Sequence, residues 1–330
     1  MNYYLVFGFV LRTQLNIEFL SKVNIDEVNN NYTTIDIIHK KDESYVYENI
    51  TFLGMLYGGY MRCYDSTNFI LLFYDDILLK IYKIGKRIDL VCKTDSISEG
   101  LRCLVSAPLI ICNYYLGRTV YHAASFSYNN KVYAILGNSG VGKSTLISSI
   151  INQNGVKFNA DDILSLLIKE TDVVAYPSCS LPMKLWDRSL PYFQNICSDF
   201  QKKKINPDIE KYWIYIKNCN MTELPISTIF VLKPYFSNKN DTSIVFREMQ
   251  FIDKFETLAK NLHVLWCLDD NLRNLQISKI SSVVKKIKLI ELHYPRCFEK
   301  LNDVVRAIIK YISSDTNNNL KIEGVDFGEF

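Results

Sequence analysis

Residues 131–162, KVYAILGNSGVGKSTLISSIINQNGVKFNADD, restrict the fold more than any other part of the chain. Gly137, Gly142, Lys143 and Ser144 fall at G-x-x-x-x-G-K-S spacing, the pattern of a phosphate-binding loop. An apolar, β-favouring run at 132–136 precedes it, and 144–150 has a helical pattern. The loop is therefore expected between a strand and the helix it opens. There the backbone of Gly137, Asn138, Ser139, Gly140, Val141, Gly142, Lys143, Ser144 and Thr145 can wrap closely and point N–H groups inward as an anion nest. The helix N-terminus adds partial positive charge. Lys143 would reach the β- and γ-phosphates, and the Ser144 hydroxyl would hold Mg²⁺. The expectation is a site for a nucleoside triphosphate; the plain alternative is a βα connection that binds nothing.

A second short strand, 156–159, comes after the loop helix, for which Gly155 is the expected C-cap. It ends in Asp161-Asp162, the first of which lies 18 residues beyond Lys143. In a βαβ unit this strand runs parallel to the loop strand and delivers both carboxylates beside the loop. One can hold Mg²⁺, directly or through water, and the other can accept a proton from an attacking hydroxyl. In isolation the pair would read as the start of a turn. His122 lies in the run TVYHAASFS, which Asn129-Asn130 joins as a hairpin to the loop strand. It is either a satisfied core residue or a functional neighbour of the loop. Runs at 163–168 and 173–176 form a second hairpin, so strands after the loop are antiparallel, unlike a doubly wound sheet. Lys184, in PSCSLPMKLW, is placed to contact a phosphate or acceptor, or is a snorkelling surface lysine.

The first 115 residues carry β-branched and aromatic runs at 3–11, 33–39, 69–73, 77–82 and 88–92, punctuated by Asn29-Asn30-Asn31 and Tyr57-Gly58-Gly59. They form a β-rich N-terminal domain (1–115), a candidate for substrate or partner recruitment, ahead of a P-loop domain (116–314) and a polar tail (315–330). Residues 96–117 have a helical pattern that Pro108 would kink or break. Farther on, 189–204 reads as helix or loop ending in a solvated Lys202-Lys203-Lys204. Strands are expected at 211–216, at 226–232 (closing at Lys233-Pro234) and at 287–293. Helices are expected at 251–262 and 298–313, and Asp269-Asp270 as a surface pair.

With 38 basic and 35 acidic residues the net charge is +3, which gives no field for nucleic acid or anionic lipid. No apolar stretch is long enough to span a bilayer, and the first twenty residues lack signal-peptide features. Nine cysteines without a C-x-x-C pair favour reduced thiols in a cytoplasmic protein over disulfides or zinc.

With these residues assembled, the chain resembles the HPr kinase/phosphorylase superfamily. It is most similar to the divergent HPr kinase-like serine kinases, some of which act on ribosomally made peptide precursors, including lasso-peptide precursors. The matching pieces are YHAASF with His122, GNSGVGKST, NADD with Asp161 and Asp162, and YPSCSLPMKLW. They span 118–186, with a looser ordered match to about 307 that includes ELHYP. The resemblance implies an α/β fold with a P-loop sheet of the type found in the HPr kinase C-terminal domain and phosphoenolpyruvate carboxykinase, preceded by a small β-rich domain. It implies Asp161 as the acceptor-side base, Asp162 as the partner of Ser144 in holding the metal, and His122 close by. The glycine-containing signature of authentic HPr kinase/phosphorylases, with its acidic metal ligand, is missing, so neither HPr as acceptor nor phosphorolysis is implied. Glu170 and Asp172 read as turn residues.

The function expected is therefore an ATP- and Mg²⁺-dependent kinase acting on a serine of a peptide or protein, cytoplasmic, without nucleic acid or membrane partners. A homo-oligomer is implied only by relatives that form rings. The rivals are a small-molecule kinase, for instance of free serine, and a nucleotide-gated binding module without catalysis.

Overall fold

The computed structural model describes residues 1–28, 32–42, 50–56, 59–191, 201–206, 209–236, 243–263 and 268–315. The expected breaks at 29–31 and 57–58, much of the segment 189–204 and the tail from 316 onward lie outside the described residues.

The N-terminal part is one sheet. Its strands are β1 (Asn2–Val6), β2 (Phe9–Thr13), β3 (Thr33–Lys40), β4 (Thr51–Leu56), β5 (Met61–Asp65), β6 (Phe69–Tyr74), β7 (Ile77–Tyr82) and β8 (Arg87–Val91), in the order β1-β2-β3-β8-β7-β6-β5-β4. The run 3–11, expected as a single strand, is instead a hairpin turning at Phe7 (φ 51) and Gly8 (φ 71). Consecutive left-handed residues are what a tight hairpin demands, and only Gly8 advertises that conformation in the sequence. Strands β4 and β5 are additions to the sequence expectation. The helical segment after the sheet breaks into α1 (Ile97–Leu104) and α2 (Ala107–Tyr115), with Pro108 in the first turn of α2, where its missing N–H costs no helical bond.

The second sheet contains β9 (Thr119–Tyr121), β10 (Ala123–Tyr128), β11 (Lys131–Leu136), β12 (Lys157–Ala160), β13 (Leu164–Ile168) and β14 (Val173–Tyr176). The helix α3 (Lys143–Ile150) lies between β11 and β12. A small separate sheet is built from β15 (Met183–Trp186), β16 (Gln201–Asn206) and β17 (Ile209–Tyr215). The main sheet is completed by β18 (Leu224–Tyr235), β19 (Val245–Glu248) and β20 (Lys288–Pro295). The remaining helices are α4 (Phe251–Lys260), α5 (Asp270–Lys286) and α6 (Leu301–Asp315).

Strands β11, β18 and β20 run parallel side by side, and the stretches 132–136, 229–232 and 289–290 within them are apolar and buried, as a sheet covered on both faces requires. One face, with Tyr133, Ile135, Phe230, Leu232, Ile290 and Leu292, packs against Ile147 and Ile150 of α3 and Val304, Val305 and Ile308 of α6. The other, with Ala134, Leu136, Ile229, Val231 and Leu289, packs against Leu258 of α4 and Ile280, Val283 and Val284 of α5. The architecture around the loop is a three-layer α/β sandwich, with antiparallel strands added at its flank.

Several local expectations need correction. Gly155 does not cap α3; the helix ends at Ile150 and Gly155 (φ 78) closes the turn before β12. Lys202-Lys203-Lys204 lie on β16, because pairing with β17 recruits them into a strand. Strand β18 continues past Lys233-Pro234 to Tyr235, paired with β20 from Thr228 to its end. Asp269 is not merely a surface acid: it caps α5, a helix absent from the sequence expectation, by accepting the Leu272 N–H at 2.9 Å.

The N-terminal sheet shares its core with α1, α2 and the start of the second sheet. Phe9, Leu11, Ile35, Leu79 and Ile88 pack in one apolar cluster with Leu104, Ile110 and Tyr114 of the helices and with Val120 and Ile163. The β1–β2 hairpin is also tied by backbone to the segment after β14, through Gly8 N–H to Pro177 O at 2.9 Å and Ser180 N–H to Leu5 O at 3.0 Å.

Candidate active site

The Asn129-Asn130 turn has φ 48 and 58, so β10 and β11 are joined by the hairpin expected from sequence. At the carboxyl end of β11 the chain enters 137–142, and Gly142 at φ 110 turns it into α3, a conformation that a side chain would strain. Asn138, Ser139 and Gly140 are exposed at the tip of the loop. The Lys143 ammonium folds back over the loop and donates to Gly137 O at 2.7 Å and to Asn138 O at 3.3 Å. Burial pulls its pKa below the ordinary lysine value, against the opposing charges of Asp162 and Asp161. Thr145 shares a 3.0 Å hydrogen bond with Ser189, which connects the loop helix to the segment after β15.

Strand β12 pairs antiparallel with β10, which is itself antiparallel to β11. It thus runs in the direction of the loop strand with β10 between them, and carries Asp161 and Asp162 to the loop. The Ser144 hydroxyl donates to Asp161 at 3.1 Å (Oδ1) and 3.4 Å (Oδ2). Lys184 on β15 grips both acids: its backbone N–H donates to Asp161 Oδ2 at 3.0 Å, and its Nζ to Asp162 Oδ2 at 3.1 Å. Asp162 has φ 63, and this left-handed backbone directs the two adjacent carboxylates to different partners. Beneath them, Asn159 is locked by hydrogen bonds to Ser125 at 2.9 Å and from Asn220 at 2.9 Å. Burial and the neighbouring Asp162 raise the Asp161 pKa. Burial would raise that of Asp162 as well, but Lys184 and His122 hold it below the ordinary value.

His122 sits at the bend between β9 and β10, its N–H donating to Asn261 O at 3.0 Å. Its ring stacks on that of His263, with centroids 5.4 Å apart and planes at 22°. His263 is held by its own N–H to Val120 O at 3.0 Å and by the Tyr114 hydroxyl on its carbonyl. Burial lowers the pKa of both imidazoles, that of His263 to about 4, so both are neutral near pH 7. The carboxylate that acts on His122 is Asp162.

The fold thus gathers His122, Lys143, Ser144, Thr145, Asp161, Asp162 and Lys184, with Lys184 engaged by the acid pair. Two further residues join them that the sequence does not single out. His263 comes after α4 with no motif around it. Arg296, just after β20, donates to Gly140 O at 3.0 Å at the tip of the loop. A basic residue closing the carboxyl end of a strand beside a phosphate loop is the one signal the sequence offers for it.

The ligand atoms that Ser144 and Asp161 themselves offer are all oxygen, which suits a hard cation such as Mg²⁺, and burial of the Asp161 charge is a cost that a cation would offset. Among the described residues no group of three or more His, Cys, Asp or Glu side chains forms a metal cage.

No family model matches the chain, and no curated protein sequence does. Among solved structures, the Hpr(Ser) kinase/phosphatase from Coxiella burnetii aligns at 10% identity over 60% of this chain and 98% of its own, with a TM-score of 0.32. The chemistry of the site is carried by its own geometry. Among the described residues no helix is long and apolar enough to cross a membrane.

Proposed function

We propose that this chain is a Mg²⁺- and ATP-dependent kinase that transfers the γ-phosphoryl group to a hydroxyl, that of a serine in a peptide or protein. The observation that carries this reading is the direct contact between Ser144, in the G-K-S turn, and Asp161, the first acid of the pair at the end of β12. A simple βα connection has no use for a buried carboxylate on its first helical turn, with a second carboxylate and a lysine bonded beside it. The motif resemblance supplies the serine acceptor and the HPr kinase-type sheet.

In this reading the loop N–H groups and the N-terminus of α3 bind the triphosphate. Lys143 exchanges its contacts with Gly137 O and Asn138 O for phosphate oxygens, the same kind of acceptor with more charge. Ser144 and a carboxylate of the pair hold Mg²⁺, which when bound neutralises the β- and γ-phosphate charge. The other carboxylate orients the acceptor hydroxyl and takes its proton. Phosphoryl transfer asks little more of a protein than this in-line positioning.

The test is incubation of the purified protein with Mg²⁺ and γ-labelled ATP against a panel of serine-bearing peptides and proteins, read by mass shift, with free serine as a separate arm. One phosphate on one serine, absent in Lys143→Ala, is the expected result. Labelled free serine without any peptide product would establish the small-molecule kinase instead. ATP binding with no transfer to either class would establish a nucleotide-gated binding module.

A further inference from the structure

The two carboxylates are not equivalent, and their surroundings separate their tasks. Asp161 is 4% exposed, and both of its oxygens lie within hydrogen-bond distance of the Ser144 hydroxyl. Its Oδ2 also receives the Lys184 backbone N–H. Asp162 leaves 36% of its side chain exposed, and among the described residues only its Oδ2 is engaged, by Lys184 Nζ. Asp162, at a left-handed turn, makes no hydrogen bond to Ser144 among the described residues, and its charge acts on the stacked His122 and His263.

From this we propose that Asp161 is the metal-side carboxylate, working with Ser144, and that Asp162 is the acceptor-side base, the reverse of the order that the motif resemblance implies. The assignment rests on the kinase reading and specifies which acid does what within it. A metal-side acid must share the ion with the G-K-S hydroxyl, and Asp161 alone touches Ser144. A base must come within hydrogen-bond reach of a hydroxyl arriving from solvent, and Asp162 is the exposed member of the pair, Asp161 being buried. Lys184, bonded to both, fixes their relative orientation.

The chemical step then balances. The acceptor O–H proton passes to Asp162 Oδ1 while the acceptor oxygen forms its bond to the γ-phosphorus. The bond from that phosphorus to the β,γ-bridging oxygen breaks, and the bonding pair leaves with ADP. Lys184 holds Oδ2 of the base throughout, and the stacked His122 and His263 feel the charge of that carboxylate.

The experiment is titration of Mn²⁺, followed by electron paramagnetic resonance, into the full chain with a non-hydrolysable ATP analogue. Wild type, Asp161→Asn, Asp162→Asn and Ser144→Ala are compared, with thermal unfolding as the check on folding. Asp161→Asn and Ser144→Ala are each expected to weaken Mn²⁺ binding by about tenfold or more. Asp162→Asn is expected to stay within about twofold of wild type. If Asp161→Asn does not fold, Ser144→Ala carries the metal-side arm. Weakening in Asp162→Asn with Ser144→Ala or Asp161→Asn unaffected overturns the assignment while leaving the kinase reading in place. Equal weakening by both aspartate variants overturns it too. A wild type that binds neither nucleotide nor Mn²⁺ overturns the kinase reading itself, and the assignment with it.

Discussion

The guanidinium of Arg118 lies over the ring of Tyr176, its central carbon 3.7 Å from the ring centroid, and donates to the carbonyls of Phe7 and Gly8 at 3.0 and 3.2 Å. One residue at the entry to the second sheet thus fastens the N-terminal hairpin to the strand β14. Arg118 is 5% exposed and also bonds Asn113 Oδ1 at 3.2 Å. Replacing it by methionine keeps much of the apolar contact but orphans these acceptors. Arg118→Met is expected to destabilise the protein by about 2–4 kcal/mol in urea unfolding. Hydrogen exchange should accelerate first at residues 5–9.

Gly8 is the other half of that junction. A Cβ built there would lie 2.3 Å from Tyr176 Cδ1, and φ is +71. Gly8→Ala is therefore expected to cost about 2–4 kcal/mol, from strained backbone and overpacking together. A melting temperature unchanged from wild type would show that the hairpin can move away from Tyr176 without penalty.

Lys143 and the N-terminus of α3 together supply the positive charge of the loop. Lys143→Ala is expected to reduce phosphoryl transfer by about 100-fold or more, the scale of losing one preorganised charge-stabilising group. The folded state should survive, because the Lys143 ammonium bonds loop carbonyls within 6 residues of itself. Circular dichroism would check that, and displacement of a fluorescent nucleotide would measure the loss of binding.

The His263 pKa is depressed from 6.5 to about 4, mainly by burial. The unfolded chain therefore takes up this proton first as pH falls, and the folded state does not. Stability from this group is full above about pH 6.5 and declines between about 6.5 and 4. The total is on the order of 1–3 kcal/mol. Denaturant unfolding at about pH 7.5 and about pH 5 should show a larger loss for wild type than for His263→Asn. Equal losses would mean that His263 is protonated without cost in the fold.

The glycine-lysine-serine turn, its flanking strand and helix, the Asn129-Asn130 hairpin and the β13–β14 hairpin were all legible, because each is decided by residues within a few positions of one another. Helix α5 was legible in principle, with Asp269 as a capping residue at its start and Lys285-Lys286 in its last turn, but its polar face masked the spacing of Gln276, Ile280, Val283 and Val284. The turn at Phe7-Gly8 was not legible, since phenylalanine gives no sign of a positive φ. Strand β16 was hidden by three consecutive lysines, which become a strand only because β17 offers them a hydrogen-bonding edge.

At the site the division is sharper. The amino-acid order alone determined that a phosphate-loop pattern stands between a strand and a helix and that two adjacent acids come at the end of the next strand. Such features depend on short-range backbone geometry. Which acid meets Ser144, which meets the Lys184 ammonium, and that His263 lies on His122 were decided only by the tertiary structure. Those contacts depend on the packing of β12 against β10 and on β15 passing beside it. They depend too on the segment after α4 pairing with the end of β9, from which it is far removed in the chain. Adjacent positions in a sequence share a backbone, and a left-handed turn at Asp162 is enough to give them different neighbours.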